Sequence, residues 1–143
     1  MTGQPEMRLN MAQIQADLFM AHAAINEAKK MSQKAAKYLK GQAGYHLQQA
    51  AEKMVKIQMY RLANHIDNAR MYKHSIDDLL FYASSLNLEL VIPSYVYKQK
   101  TVISSWEAEG RYDIHFVVKM PQLEKTLREL TDWHQALKKD GYK

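Results

Sequence analysis

No cysteine occurs among the 143 residues. That excludes disulfides, thiolate nucleophiles and cysteine-based zinc sites, and nothing calls for an oxidising compartment. Proline and glycine are scarce, at three and five, which leaves long stretches free to be helical. No apolar run approaches the roughly 20 residues of a membrane span. The opening Met-Thr-Gly-Gln-Pro-Glu has neither the basic nor the apolar region of a signal peptide. A soluble cytoplasmic protein is expected. Also lacking are the Glu-x-x-His pairs of di-iron bundles, the His-Glu-x-x-His of zincins and any glycine-rich phosphate loop. The six histidines, at 22, 46, 65, 74, 115 and 134, have no ligand spacing beyond Asp113-x-His115. Neither a metal nor a cofactor is expected.

What the chain does have is helical periodicity. Met11, Ile14, Leu18, Ala21, Ile25, Ala28, Ser32, Ala35 and Leu39 recur at spacings of three and four, which predicts one long first helix, capped by Asn10 with Gln13 and ended by Gly41 or Gly44. Lys30, Lys34 and Lys37 line another face of that helix, with Lys29 and Lys40 nearby.

The stretch "GYHLQQAAEKMVKIQMYRL", residues 44–62, predicts a second helix with Leu47, Ala50, Ala51, Met54, Val55 and Leu62 on its apolar side. Gln48, Gln49, Glu52, Lys53 and Lys56 gather opposite, either as a solvated back face or as something the protein uses for recognition. Residues 63–74 lose the pattern and contain a connection. Ser75 followed by Asp77 and Asp78 marks the start of a third helix. "LELVIPSYVYKQK" reads as an extended connection, and residues 101–109 as a short helix stopped by Gly110. Pro121 opens a last helix with Leu123, Leu127, Leu130, His134 and Leu137 on one stripe. The expected architecture is an all-α, up-and-down bundle of four to five helices. It forms a single domain over residues 9–139, after a flexible N-terminus of residues 1–8.

Charge is uneven. Residues 1–74 hold 11 Lys/Arg against 5 Asp/Glu, and residues 75–143 hold 9 against 10. An anionic partner would therefore meet the N-terminal half.

"YHLQQAAEKMVK" resembles the signature helix of the HEPN family (higher eukaryotes and prokaryotes nucleotide-binding domain), with Tyr45, Gln48, Gln49, Ala50, Glu52 and Lys53 at the matching positions. "KHSIDDLLFYASSL" is similar to the family's third-helix start, and "EGRYDIHF" to its Arg-Tyr segment before the last helix, so the likeness spans residues 9–138. The resemblance implies an HEPN-like helical bundle, often a homodimer, on one of two branches. One is a non-catalytic module binding a nucleotide, nucleic acid such as RNA, or a nucleotidyltransferase-type protein partner. The other is a metal-independent ribonuclease of toxin–antitoxin type using Arg-x(4 to 6)-His. A bundle acting only as an oligomerisation adaptor is the third reading.

Ribonuclease chemistry needs a histidine to relay the 2′-hydroxyl proton and an arginine to stabilise phosphoryl charge. Arg128 and His134 fit the motif by count, but they lie about 120° apart around a helix and roughly 9 Å along it. His134 also interrupts a leucine stripe, as a packed histidine would. Arg111 and His115 fall one residue short. For ligand binding the candidates are Arg111 and Tyr112, a phosphate fork beside a stacking ring, together with Gln48, Gln49 and Lys53. The basic surface is Lys30, Lys34 and Lys37. Tyr95, Tyr97 and Lys98 form a lesser basic-aromatic group. The leading expectation is the non-catalytic binding module.

Overall fold

The structure is a computed structural model that describes residues 9–73, 75–107 and 118–143. His74, Arg111, Tyr112 and His115, with the whole "EGRYDIHF" segment, lie outside the described residues, as do residues 1–8. Seven helices and no strand occur among the described residues. They are α1 (Met11–Ala28), α2 (Gln33–Leu62), α3 (Asn68–Met71), α4 (Ile76–Ser85), α5 (Ser94–Lys98), α6 (Lys100–Ser104) and α7 (Met120–Lys139).

The first helix starts where expected, with Asn10 Oδ1 accepting the Gln13 N–H at 2.9 Å. It does not run to Leu39. The chain reverses over Lys29–Ser32, and Gln33–Leu62 forms one continuous 30-residue helix, so α1 and α2 make a hairpin. Reversal lets the apolar seam of α1 bury itself against α2. A continuous helix would leave that seam to other partners and stack Lys30, Lys34 and Lys37 as like charges at helical spacing.

Gly41 and Gly44 are accordingly not terminators. Both sit inside α2, and a Cβ on Gly44 would lie 3.2 Å from Cγ of Trp106, so this glycine admits the buried indole.

Because α2 packs on α1, α4, α6 and α7, it is buried on more than one side. Leu47, Ala50, Ala51, Met54, Val55 and Met59 join Ile14 and Ile25 of α1 and Leu130, Trp133 and Leu137 of α7 in one core. α7 opens with Pro121 in its first turn and presents its stripe as expected, Leu123, Leu130, His134 and Leu137 being buried. α4 begins at Ser75, whose Oγ accepts the Asp78 N–H. It ends on Asn87 in the left-handed region (φ 57°), with Asn87 N–H bonded to Ser84 O and Leu88 N–H to Ala83 O.

Beyond Asn87, exposure alternates residue by residue through Ile92, the mark of extended backbone. Gln58 of α2 anchors this segment. Its Oε1 accepts the Val91 N–H at 2.8 Å and its Nε2 donates to Val91 O at 3.0 Å, where the Trp133 indole also donates at 2.8 Å. No described helix is long and apolar enough to cross a membrane.

Candidate functional site

Three groups of polar side chains warrant comparison, and they differ in how fully they are engaged. The first lies between α1 and α2. Gln48 and Glu52 were expected opposite the apolar side, yet they are 0% and 3% exposed. A helix with neighbours on several sides has no wholly solvated back face, so its polar residues must bond inside. Gln48 donates to Glu52 Oε2 at 2.8 Å, Gln49 donates to Gln48 Oε1 at 2.8 Å, and Lys56 Nζ lies 2.6 Å from Glu52 Oε1.

Asp17 of α1 receives Lys53 and His46 of α2. Lys53 Nζ donates to its Oδ2 at 2.6 Å and His46 Nδ1 bonds its Oδ1 at 3.0 Å. Asp17 is buried and was not singled out from the sequence. Its position was the available signal: it stands three residues after Ile14 and four before Ala21, on the edge of the apolar seam. Charge-assisted bonds at both oxygens make this a clamp between two helices. Gln48, Gln49 and Lys53, named as ligand residues, thus have their described bonds within the hairpin.

The second group lines an open cleft of about 590 Å³ between α1 and α7, with Phe19, His22, Arg128 and His134 on its walls. The structure does bring Arg128 and His134 to one cleft, Arg128 exposed and His134 buried. The histidine is engaged elsewhere. Its Nε2 lies 3.0 Å from Met11 O, which fixes Nε2 as the donor and ties α7 to the first turn of α1.

The third group is the tip of the α1–α2 hairpin. Lys30 sits in the reversal, and Lys34 and Lys37 in the first two turns of α2, so the three lysines belong to a turn and a helix start rather than to one helix face. Lys34, Lys37 and Tyr38 are three and four residues apart and share one face of α2. Tyr38, which sequence reasoning passed over, is 56% exposed, and Met31 beside it is exposed too. Its signal was its place inside the lysine run.

Lys29 reaches Glu124 of α7 at 2.9 Å and Lys30 lies 3.5 Å from Glu27, whereas Lys34 and Lys37 have no ion-pair partner among the described residues. The start of α2 has no acidic residue in its first turn, and Ser32 makes no side-chain cap bond. Lysines at the positive end of a helix dipole oppose it. The tip therefore holds concentrated, uncompensated positive charge around an exposed ring. Elsewhere, Tyr95 bonds Thr126 at 2.8 Å and Lys100 sits over the Tyr97 ring, which ties part of the lesser basic-aromatic group into the fold. Among the described residues no cluster of three or more His, Asp or Glu could hold a metal ion.

Compared with protein-family models, curated proteins and solved structures, the chain matches none of them.

Proposed function

We propose that this chain is a non-catalytic, HEPN-like helical module that binds single-stranded nucleic acid through the tip of its first hairpin. The observation that carries the reading is the exposed Tyr38 in the run that holds Lys30, Lys34 and Lys37, two of which have no ion-pair partner among the described residues. Phosphates supply the anionic partner for lysines, releasing counterions, and an exposed aromatic ring offers a stacking face to any base. The lysines are distributed over a turn and two helical turns, which suits the spaced phosphates of a strand better than the compact phosphates of one nucleotide. The bonds within the α1–α2 seam favour a structural role for Gln48, Gln49 and Lys53, and the bond from His134 to Met11 argues against the ribonuclease branch.

Fluorescence anisotropy with a labelled single-stranded RNA tests the proposal. Binding should weaken steeply as salt rises, and Lys30→Glu, Lys34→Glu and Lys37→Glu together should weaken it by about a hundredfold without lowering the melting temperature. Salt-insensitive binding, or binding indifferent to the triple change, would defeat the reading. In excess EDTA the RNA should stay intact. Chelator-resistant cleavage to 2′,3′-cyclic phosphate ends, lost in a well-folded His134→Ala variant, would instead establish the ribonuclease.

A further inference from the structure

The extended segment after α4 has hydrogen-bonding groups on one side that the rest of the protein does not use. Val91 turns its N–H and C=O toward Gln58 and Trp133. In extended backbone the groups of neighbouring residues point the opposite way. Those are the N–H and C=O of Leu90 and Ile92, and none of the four has a partner among the described residues. The row is short. Leu88 N–H is already bonded to Ala83 O, and Ser94 begins α5. Alongside runs an open cleft of about 780 Å³ walled by Leu80, Ala83 and Tyr97 as well as by Leu90 and Ile92. Phe81 and Val91, both apolar, are exposed nearby, Val91 at 52%.

We infer that this segment is the edge at which a second copy of the chain docks, its residues 90–92 pairing antiparallel with their own counterparts about a two-fold axis at Val91. The register follows from the bonds. Pairing Leu90 with the partner's Ile92, and Ile92 with the partner's Leu90, satisfies all four free groups on each copy and makes four hydrogen bonds. Val91 then meets its counterpart in a pair that exchanges no hydrogen bond, as its commitment to Gln58 requires, with side chains in close contact. The exposed valine is covered by its own copy, an isologous arrangement.

Charge agrees with this register. Glu89 is the one charged residue in 86–92, and the two copies of it fall at opposite ends of the pair, roughly 14 Å apart at strand rise. Each lies opposite the partner's Pro93, next to an α5 that carries Lys98 and no acid. The segment also has none of the lysines that keep exposed edges from pairing, and its proline comes only at its end. The four bonds alone make a small contact, so the flanking cleft with Leu80 and Tyr97 must supply the remaining buried area.

This proposal is independent of nucleic-acid binding, and the absence of cysteine makes it simple to test. Val91→Cys, oxidised at micromolar concentration, should give a covalent dimer on a non-reducing gel, whereas Glu89→Cys should not. Light scattering of the unmodified chain should return twice 16.6 kDa. Val91→Lys should return the single mass with its helicity intact, because Val91 is exposed and its backbone anchor is untouched, and its melting temperature should fall only by what dimer formation contributes. A monomer in the unmodified chain would overturn the inference. So would a dimer that survives Val91→Lys, or crosslinking at position 89 as efficient as at 91. If Val91→Lys fails to fold, the cysteine pair decides alone.

Discussion

The start and the middle of α2 both carry polar residues and treat them in opposite ways. From Gln48 to Gln58 each buried polar side chain has a bonding partner: Gln48 with Glu52, Glu52 with Lys56, and Gln58 with both backbone groups of Val91. From Lys34 to Tyr38 the charges have no ion-pair partner among the described residues, the helix dipole opposes Lys34, and an aromatic ring stands in solvent. Polar groups that the fold satisfies are there for the fold. Charge that costs the fold stability and gains nothing inside the chain marks a surface kept for a partner. On the proposed function, the middle of α2 is architecture and its start the binding end.

The sharpest way to break that division is to injure the architectural part. Gln58→Ala removes three hydrogen bonds, to Met54 O and to both backbone groups of Val91, and leaves the Val91 N–H without its acceptor. A loss of about 3 kcal/mol in denaturant unfolding is expected. RNA affinity measured on the still-folded population should not change. If affinity fell at preserved fold, the buried polar groups would have to be reassigned to recognition.

Next in size is the tip. The triple lysine reversal should cost RNA affinity by about a hundredfold, or about 2.7 kcal/mol, with no loss of melting temperature. A parallel fall in stability would mean that the lysines serve the hairpin turn instead. Smaller again is Tyr38→Ala, for which loss of one stacked base should weaken binding by about 1 to 2 kcal/mol, while Tyr38→Trp should retain it. Equal losses in both variants would argue that the ring is a spacer and not a stacking face.

The sequence disclosed helix starts more reliably than helix ends. Asn10, Ser75 and Pro121 act through side-chain or ring chemistry that is local, so they could be read directly. The reversal at Lys29–Ser32 could not, because the apolar spacing runs on through Ala28, Ser32, Ala35 and Leu39 whether the helix continues or folds back. What decides is the tertiary gain of placing α1 against α2. Gly41 and Gly44 misled because both sit inside a continuous helix, and at Gly44 the reason is close packing: Trp106, the side chain that needs the space, lies about sixty residues away in sequence. At the candidate sites the lysines were legible as charge, but their lack of partners was not. Asp17 was hidden because its significance depends on His46 and Lys53 arriving from another helix.

The smallest expected effect is the most discriminating, because the two readings of Lys34 predict opposite signs for stability. Lys34 is the second residue of α2, at the positive end of the dipole, with Lys30 and Lys37 near it. Lys34→Glu replaces a repelled charge with a favoured one, and the new carboxylate has Lys37 three residues on to face. If the lysine is there for a partner, the variant should unfold later than the unmodified protein, by a few tenths of a kcal/mol and no more than about 1. It should bind RNA less tightly, and the salt dependence of the remaining binding should be shallower. Both movements should shrink as salt rises, since each is an exposed electrostatic effect. A variant that is less stable as well as weaker in binding would show Lys34 to be part of the hairpin's own structure, and the contrast between the start and the middle of α2 would fail in the helix's first turn.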